Sequence, residues 1–323
     1  MRFFVTGGAG FIGSNYVRHL LATDPDAEVT NLDKLTYAGN PASVADLESD
    51  PRYRFVQGDI RDAALLAEVL PGHDVVVNFA AETHVDRSIV EPLEAVATNA
   101  LGVMTLAEAA RHASVSRFLQ VGTDEEYGTI AEGSHRETDR LEPSSAYSAG
   151  KAGGSLVALA YVTTYKLDVV VTRCSNNYGP YQFPEKVIPL FVTNLIDGLP
   201  VPLYGRGGNI RDWLYVLDHC RAIDVVLRRG ETGAIYNIGA GNELSNLELT
   251  RRLLAAFGVG EEAIDYVPDR PGHDWRYSLD TGRVRELGWE PAYGFDQGLA
   301  DTIAWYRRHQ DWWRPLKQGA QAR

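Results

Sequence analysis

The stretch Thr6-Gly7-Gly8-Ala9-Gly10-Phe11-Ile12-Gly13 decides the fold class of this chain. Its glycines form the pattern G-x-x-G-x-x-G between an apolar run that predicts a strand at 2–6 and a predicted helix at 11–23. Only glycine allows so tight a turn while backbone N–H groups approach a pyrophosphate closely, and the helix N-terminus adds positive potential. The stretch therefore predicts a strand–turn–helix unit that binds a phosphate-bearing ligand.

An acidic residue at the end of the second predicted strand extends this prediction to a dinucleotide. Asp33 closes the run 28–33, and it follows Gly13 by 20 residues. A carboxylate there accepts hydrogen bonds from ribose hydroxyls and repels a 2′-phosphate, so the pattern favours NAD over NADP. We expect Lys34-Leu35-Thr36 and Asp59-Ile60 to flank the adenosine, although Asp59 alone could equally cap a helix.

The first half of the chain alternates apolar runs with helical segments, which is typical of a parallel sheet wound by helices. After Cys174 a proline-rich stretch breaks this rhythm. We predict an α/β protein with a Rossmann-type doubly wound parallel sheet and a smaller α/β C-terminal substrate domain. The expected boundaries are 1–175 for the NAD-binding domain, with returning segments near 212–240, then 176–211 and 241–316 for the substrate domain, and 317–323 for a tail. Further strands are predicted at 53–56, 75–79, 117–121 and 168–174, and further helices at 63–69, 95–113 and 145–165.

Composition excludes several classes of protein. The 323 residues carry 31 Lys+Arg against 43 Asp+Glu, a formal charge of −12, which argues against a nucleic-acid binder. The two cysteines, Cys174 and Cys220, form no ligand cluster, so neither a disulfide scaffold nor a metal site is expected. No apolar run approaches the roughly 20 residues of a membrane span, and no basic-then-apolar signal region precedes the first strand. We expect a cytoplasmic protein, without a membrane association, that is an enzyme.

Tyr147 and Lys151 lie four residues apart on a predicted helix, so they share one face. An ammonium beside a phenol stabilises the phenolate and is expected to lower the pKa of Tyr147 toward neutrality. A dehydrogenase needs such a base to take a proton from an alcohol while hydride leaves. The same spacing alone would also suit an ordinary surface helix pair. Together with the glycine turn and the strand end Val121-Gly122-Thr123, it resembles the extended short-chain dehydrogenase/reductase family.

Asp124 and Glu125 place two adjacent carboxyl groups in the stretch Thr123-Asp124-Glu125-Glu126, at the carboxyl end of the fifth predicted strand. Ligands of open α/β sheets bind at such strand ends. A reductase or an epimerase needs only a hydroxyl there, whereas a base and an acid are needed if the reaction also removes a carbon-bound proton and expels water. A solvated loop is the structural alternative for an Asp-Glu pair, and its position disfavours that alternative.

At this point the chain resembles the dTDP-D-glucose 4,6-dehydratases, from Met1 to about Trp313. The supporting stretches are Ala80-Ala81-Glu82-Thr83-His84-Val85-Asp86-Arg87-Ser88, Tyr147-Ser148-Ala149-Gly150-Lys151, Ser175-Asn176-Asn177-Tyr178-Gly179-Pro180-Tyr181-Gln182-Phe183-Pro184-Glu185-Lys186, Arg211-Asp212-Trp213 and Arg270-Pro271-Gly272-His273-Asp274. Two positions depart from the family pattern: Glu126 stands where a valine is usual, and Gly150 where a serine is usual. Glu126 leaves open which carboxylate points inward, and Glu126→Val is expected to leave dehydration nearly unchanged. Gly150 is expected to cost up to about 1 kcal/mol of helix propensity.

The resemblance implies a lyase that converts dTDP-D-glucose to dTDP-4-keto-6-deoxy-D-glucose and water through bound NAD. It implies Tyr147 as the base for the 4-hydroxyl, Glu125 as the base for the C5 proton and Asp124 as the acid for the C6 hydroxyl. Thr123 would hold the 4-oxygen, and Lys151 would bind ribose hydroxyls. It further implies a homodimer built through the helices at 95–113 and 145–165.

The resemblance also implies the remaining ligand contacts. Cofactor contacts are expected from Gly7, Gly10, Phe11, Ile12, Gly13, Phe79, Ala80, Ala81, Thr83, Thr98 and Asn177. Substrate contacts are expected from Thr83, His84, Thr123, Asn176, Glu185, Lys186, Pro202, Leu203, Tyr204, Arg211, Asn246, Arg270, His273 and Tyr277. Arg211 and Arg270 are the expected diphosphate ligands, because guanidinium groups suit phosphate oxygens. His84 could equally be a structural histidine, and Trp305, Trp312 and Trp313 are expected to pack rather than to bind ligand.

Two other functions remain open on the sequence alone. A nucleotide-sugar 4-epimerase could use the same scaffold, but it would not need Asp124 and Glu125. A catalytically inactive Rossmann protein could instead sense NAD or bind a protein partner. Such a protein would need neither the carboxyl pair nor Tyr147 and Lys151. The sequence leaves open dTDP against UDP as the nucleotide, and a cell-surface rhamnose pathway against a secondary-metabolite pathway.

Overall fold

A parallel sheet forms the centre of the protein, whose computed structural model describes residues 1–269 and 272–321. In chain order the strands are β1 (Arg2–Thr6), β2 (Glu28–Asp33), β3 (Tyr53–Gln57), β4 (Val75–Asn78), β5 (Arg117–Thr123), β6 (Val169–Cys174), β7 (Asn176–Tyr178), β8 (Val201–Tyr204), β9 (Ile210–Tyr215), β10 (Ile235–Ile238), β11 (Glu243–Ser245) and β12 (Ile264–Val267). The helices are α1 (Phe11–Thr23), α2 (Ala63–Val69), α3 (Val85–Val90), α4 (Pro92–Val96), α5 (Val103–His112), α6 (Ala146–Tyr165), α7 (Val187–Ile196), α8 (Val216–Arg229), α9 (Asn246–Phe257), α10 (Gly282–Glu286), α11 (Phe295–Arg308) and α12 (Gln310–Gln321).

The central sheet has the strand order β10-β6-β5-β4-β1-β2-β3, and each neighbouring pair is parallel. This confirms the predicted doubly wound Rossmann-type fold. From β1 the chain adds β2 and β3 on one side and then β4, β5 and β6 on the other, so the order of the strands reverses between β1 and β4. A crevice opens at this point, beyond the carboxyl ends of the two strands. β5 extends two residues further than predicted, to Thr123, and therefore carries the following carboxylates to the same edge.

Both faces of this sheet are covered, which explains its near-continuous apolar strands. Successive residues of a strand point to opposite faces. Phe4 and Phe118 are thus buried in the layer formed with α5 and α6, whereas Phe3 and Leu119 are buried in the layer formed with α1 and α8. Burial of each such side chain contributes roughly 1.5–3 kcal/mol.

Close packing between α6 and the helical stretch from α4 to α5 explains the unusual Gly150. A Cβ at this position would lie 3.1 Å from the carbonyl oxygen of Ala95 and 3.2 Å from the Cβ of Asn99. Residues 97–102 form a π-helical turn that joins α4 to α5. Gly150 therefore lowers helix propensity but allows the two helices to approach, so a serine there would require its neighbours to shift by a few tenths of an ångström.

The second half of the chain builds a smaller unit from the sheet β11-β9-β7, the paired strands β8 and β12, and the helices α7, α9 and α11. Within the segment 212–240, α8 packs against β6 and β10 joins the central sheet, whereas residues 212–215 do not. These residues belong to β9, which pairs with β7 and β11, because β10 already occupies the place beside β6.

The C-terminal segment is helical where a tail from Lys317 was predicted. α12 continues to Gln321, and Lys317 is buried with its Nζ 2.8 Å from Oδ2 of Asp197. Trp305, Trp312 and Trp313 are buried in this region, as expected for packing residues. Among the described residues, no helix has both the length and the apolar character that crossing a bilayer requires.

Candidate active site

The glycine turn between β1 and α1 has the geometry that its sequence predicts. Gly7 has a φ of +70°, and a Cβ there would lie 2.7 Å from the backbone nitrogen of Ala80. A Cβ at Gly13 would lie 2.3 Å from the carbonyl oxygen of Gly7. The turn therefore needs glycine for steric reasons, and it leaves the N-terminus of α1 open for a phosphate.

Asp33 links the end of β2 to this turn. Its Oδ2 accepts a hydrogen bond from the N–H of Ala9 at 2.9 Å, and its Oδ1 accepts one from the N–H of Leu35 at 2.8 Å. Burial raises the pKa of Asp33, and these two backbone bonds oppose the increase. The carboxyl group is thus held at the mouth of the turn, where an adenosine ribose is expected.

Asp59 is an ion-pair centre rather than a helix cap. Its Oδ2 lies 3.0 Å from Lys34 Nζ and 2.8 Å from Arg61 Nη2, whereas Asp62 caps α2. Partial burial opposes the ionisation of Asp59, but hydrogen bonds from Arg61 and Lys34 outweigh it and hold its pKa at about 2. Asp59 is therefore an anion at neutral pH beside the predicted adenosine site.

One cavity of about 300 Å³ joins the glycine turn to the carboxyl ends of β4, β5 and β6. Most of the predicted cofactor and catalytic residues line it, together with five of the predicted substrate residues. The predicted residues on its wall are Gly7, Gly10, Phe11, Ile12, Gly13, Asp33, Lys34, Thr36, Asp59, Ile60, Phe79, Ala80, Ala81, Thr83, Thr98, Thr123, Asp124, Glu125, Tyr147, Lys151, Asn176, Asn177, Glu185 and Lys186. The glycine turn fits a dinucleotide, as does the buried Oδ1 of Asn176, which has no hydrogen-bond partner within residues 1–269 and 272–321.

Tyr147 and Lys151 both lie on the cavity wall, in the first turns of α6. Lys151 Nζ donates to the carbonyl oxygen of Val121 at 2.6 Å, and burial lowers its pKa. Burial and the charge of Glu125 raise the pKa of Tyr147 well above its usual range, while a hydrogen bond with Thr123 opposes this increase. This direction is opposite to the expected decrease toward neutrality, because burial and the charge of Glu125 outweigh the hydrogen bond with Thr123.

Asp124 and Glu125 enter the cavity from the 3₁₀ turn that follows β5. The Oδ1 of Asp124 accepts a hydrogen bond from the hydroxyl of Thr123 at 3.1 Å, and its buried Oδ2 has no partner among the described residues. Burial and the neighbouring Glu125 raise the pKa of Asp124 well above its usual value. Asp124 is thus the carboxyl group suited to carry a proton, and Glu125 lies beside it on the same wall.

Glu126 points away from the cavity, which answers the question left open by the sequence. It is fully buried, and its Oε2 accepts a hydrogen bond from Arg173 Nε at 2.7 Å. It cannot replace Glu125 as a base without breaking this ion pair. Glu126→Val, which the sequence predicts to leave dehydration nearly unchanged, would leave Arg173 buried without its carboxylate.

A cluster of polar side chains lies beside Thr83, which lines the cavity. The Nε2 of His84 lies 3.6 Å from Oε1 of Glu185, and Lys186 Nζ donates to the carbonyl oxygen of Thr83 at 2.9 Å. His84 also caps α3 by accepting from the N–H of Arg87, and it does not line the cavity. In this structure His84 therefore has the structural position that the sequence allowed as its alternative.

The other predicted substrate residues form a second group on β8, β9, α9 and the segment 272–277. Arg211 donates to the carbonyl oxygens of Ile210 at 2.7 Å and Asp274 at 2.9 Å, and its guanidinium lies 4.3 Å from the centre of the Tyr277 ring. The charge of Arg211 opposes the increase in the pKa of Asp124, and the charge of Glu125 contributes to the raised pKa of Tyr277.

Several predicted residues lie off the cavity wall. Leu35 packs its side chain against the core, and Arg270 lies outside the described residues. The described members of the second group, none of which lines the cavity, are Pro202, Leu203, Tyr204, Arg211, Asn246, His273 and Tyr277.

The cavity wall also contains residues to which the sequence assigned no role. They are Ala38, Gly39, Glu82, Glu94, Val121, Gly122, Cys174, Ser175, Gln182 and Phe183. Several of them stand inside the stretches that carried the family resemblance, so those stretches were the available signal. Glu82 illustrates the difficulty, because its contact with the hydroxyl of Tyr37 at 2.8 Å joins segments 45 residues apart.

Comparisons with known proteins agree with this geometry. A family model described as GDP-mannose 4,6 dehydratase matches residues 4–302. A curated dTDP-glucose 4,6-dehydratase of Streptomyces niveus is 54% identical over 327 residues, covering 100% of this chain and 97% of that protein. The crystal structure of DesIV, a dTDP-glucose 4,6-dehydratase from Streptomyces venezuelae with NAD bound, has 56% identity and a TM-score of 0.96 over 98% of this chain and 100% of that one.

A more distant neighbour represents the alternative chemistry. The UDP-glucose 4-epimerase of Thermus thermophilus, in complex with NAD, has 33% identity and a TM-score of 0.87 over 95% of this chain and 99% of that one. The epimerase thus shares the scaffold at much lower identity than the dehydratases do. With its Rossmann fold, its glycine turn and its full-length similarity to these enzymes, the chain belongs to the dTDP-glucose 4,6-dehydratase family of extended short-chain dehydrogenases/reductases.

Proposed function

We propose that this enzyme removes water from dTDP-D-glucose by oxidation at C4, elimination across C5 and C6, and reduction at C6, giving dTDP-4-keto-6-deoxy-D-glucose. The observation that carries the proposal is the shared cavity in which Asp124 and Glu125 face the same space as Tyr147 and the glycine turn. An epimerase would have no use for that carboxyl pair. The identities of 54% and 56% to named dehydratases support the same conclusion.

We propose the following role for each polar side chain. Tyr147 takes the proton of the 4-hydroxyl, and Thr123 holds the 4-oxygen. Glu125 removes the C5 proton, which the 4-ketone has made acidic, and Asp124 protonates the departing 6-hydroxyl. The raised pKa of Asp124 supports its role as the acid, because a carboxyl group must carry a proton at neutral pH to donate one.

NAD, when bound, supplies a hydride acceptor for C4 and a hydride donor for C6 within one turnover. The groups proposed to hold it are the N–H groups of the glycine turn, the carboxylate of Asp33 and the side chain of Lys151. The raised pKa of Tyr147 means that its deprotonation depends on positive charge in the cavity. We propose that Lys151, four residues further along α6, supplies this charge. Since the cofactor is regenerated in each cycle, we expect it to remain bound through purification.

The direct test is incubation of the purified protein with dTDP-glucose and, separately, with UDP-glucose, followed by mass measurement of the sugar nucleotide. Loss of water and an absorbance that develops in strong base are the expected results with dTDP-glucose. A product of unchanged mass with an inverted C4 would identify an epimerase, and no conversion at all would contradict enzymatic activity toward either compound.

Asp33 is expected to decide the choice of cofactor. NADP⁺ should not activate the cofactor-free wild type, because its 2′-phosphate would meet the carboxyl group of Asp33. Asp33→Ala should narrow the preference for NAD over NADP. Asp33→Asn should also narrow this preference, but it keeps one side-chain oxygen that can accept a hydrogen bond from the N–H of Ala9 or Leu35. Each 1.4 kcal/mol of repulsion removed corresponds to a tenfold change in relative affinity. Titration of cofactor-free protein with both cofactors provides the measurement, and equal activation of the wild type would refute this role.

A homodimer is proposed through the helices α3 to α6. Seven large apolar side chains on these adjacent helices and the π-turn between them are exposed, and Leu93 and Val90 are 85% and 80% accessible. Exposed apolar patches of this kind mark contact surfaces. The seven residues are Ile89, Val90, Leu93, Val96, Leu101, Met104 and Leu156.

Leu101→Asp combined with Leu156→Asp should convert the dimer to a monomer, because the interface would have to bury two carboxylates without partners. The matched control is Leu199→Asp, which places the same charge on an exposed leucine outside these helices. Light scattering coupled to size exclusion gives the mass of each variant. A monomeric wild type, or a double variant that stays dimeric, would contradict the proposed interface.

A cytoplasmic location is proposed as well. Cys174 and Cys220 are both free thiols, which is the usual state of cysteines in a reducing compartment. Fractionation of the native cells with detection of the protein would test this location.

A further inference from the structure

Glu126 is a buried carboxylate that has no contact with the catalytic cavity. Its side chain is inaccessible to solvent, yet it accepts hydrogen bonds from three elements of the fold. Oε1 accepts from Ser155 Oγ at 2.9 Å and from the N–H of Thr123 at 3.2 Å, and Oε2 accepts from Arg173 Nε at 2.7 Å. Glu126 thus joins the end of β5 to α6 and β6.

Each of these three partners adjoins a residue of the cavity wall. Thr123 lines the cavity itself and begins the turn that carries Asp124 and Glu125. Ser155 follows Lys151 by four residues on α6, so the two side chains share a helix face. Arg173 directly precedes Cys174, the last residue of β6. A displacement of Glu126 would therefore be transmitted to the catalytic residues on β5 and α6.

The turn after β5 depends on the acidic side chain of Glu126 in particular. Thr123 and Glu126 form a capping box, in which the hydroxyl of Thr123 accepts from the N–H of Glu125 and Glu126 accepts from the N–H of Thr123. Valine offers no acceptor and cannot complete this box. Gly122 leaves the necessary room, because a Cβ there would lie 2.5 Å from Oε1 of Glu126.

Glu126 is also the counter-charge for two buried cations. Arg173 and Lys151 are 1% and 6% exposed, and the hydrogen-bond acceptor of Lys151 is the uncharged carbonyl group of Val121. Burial lowers the pKa of Lys151, and the charge of Glu126 opposes this decrease. The other titratable groups around these three are Cys174 on β6, Tyr127 after the turn, Tyr147 on α6, and the pair of Asp124 and Glu125.

We propose that Glu126 is a positioning residue for the first hydride transfer, which holds Thr123 and the Lys151 face of α6 in register. Glu126 touches neither the substrate nor the cofactor, since it does not line the cavity. Its effect is exerted through Thr123, which contacts Tyr147 and Asp124, and through Lys151. This inference rests on the proposed dehydratase function.

The experiment compares Glu126→Val, Glu126→Gln and the double variant Glu126→Val with Arg173→Met. Single-turnover oxidation of dTDP-glucose is followed by the absorbance of the reduced nicotinamide, together with KM and thermal stability. Glu126→Val should slow oxidation on the order of 100-fold, the effect of a misplacement near 1 Å, with little change in KM. It should also lower the Tm, because Arg173 loses its buried partner.

The double variant separates positioning from simple ion-pair stability. Removing the orphaned guanidinium should restore most of the Tm, whereas oxidation should remain slow, because Thr123 and Lys151 still lack their acceptor and counter-charge. Glu126→Gln keeps one acceptor oxygen but no charge. In this variant Lys151 should lose its proton at a lower pH, so the decrease of the oxidation rate at alkaline pH should begin at a lower pH than in the wild type. Arg117→Met is the matched control, because it breaks the Arg117–Asp168 pair at the opposite end of β5 and should lower the Tm without slowing oxidation.

Two results would overturn the proposal: a double variant that oxidises the sugar at the wild-type rate, or a Glu126→Gln variant with both the rate and the pH profile of the wild type. Should Glu126→Val fail to fold, the glutamine variant and its pH profile still decide the question. A wild type that forms no dehydrated product contradicts the proposed function instead, so the two failures are distinguishable.

Discussion

Tyr147→Phe is expected to reduce turnover of dTDP-glucose by about 10²–10⁴-fold, the usual effect of removing a general base. The phenol is the group proposed to take the 4-hydroxyl proton, and no hydride can leave C4 while that proton stays in place. The step is therefore blocked before any reduced cofactor forms. Stopped-flow absorbance of the nicotinamide on mixing with substrate should stay flat.

The fold and substrate binding should survive this substitution, because phenylalanine fills the same space in the first turn of α6. Calorimetric titration with dTDP is expected to give an affinity close to that of the wild type. Tyr165→Phe is the matched control, since Tyr165 is the exposed last residue of the same helix. Near-normal turnover by Tyr147→Phe would remove Tyr147 from the role of base.

Asp124→Asn and Glu125→Gln should stop the reaction one step later. Each is expected to slow dehydration by about 10²–10⁴-fold, or roughly 3–5 kcal/mol of barrier. Oxidation at C4 should be affected far less, because Tyr147 and Lys151 remain in place. Both variants should therefore accumulate reduced nicotinamide, which distinguishes them from Tyr147→Phe in the same stopped-flow experiment.

Exchange of solvent deuterium into C5 separates the two carboxyl groups. Glu125→Gln should suppress the exchange, because the proposed base is absent, whereas Asp124→Asn should retain it.

The pH dependence of dehydration adds a second distinction between the two variants. Since Asp124 must be protonated to act, dehydration by the wild type should decrease as the pH rises through its raised pKa, and Asp124→Asn should lose that dependence.

Glu132→Gln is a suitable control for this pair, because Glu132 is an exposed acidic residue a few positions further along the chain. It should dehydrate the substrate at the wild-type rate. If Asp124→Asn and Glu125→Gln also do so, the two carboxyl groups are ordinary loop residues and the proposed elimination mechanism is wrong.

The sequence alone was sufficient for the central sheet and for most of the cavity wall. The reason is that these features depend on spacing within short segments. A glycine turn constrains only a few consecutive residues, and residues four apart on α6 share a face whatever surrounds them. The carboxyl ends of parallel strands meet at one edge, so the positions of Thr123 and of the glycine turn followed from the strand order.

Other properties depended on partners that are distant along the chain, and the tertiary structure decided them. Glu126 turns into the protein core, away from the cavity, because Arg173 offers a guanidinium from 47 residues away, and no local pattern indicates that partner. The pKa of Tyr147 is raised because burial removes water from the phenol, an effect that the spacing to Lys151 does not show. Local spacing thus determined which residues share the site. The folded environment determined the protonation states of these residues, because desolvation and buried ion pairs exist only after the chain has folded.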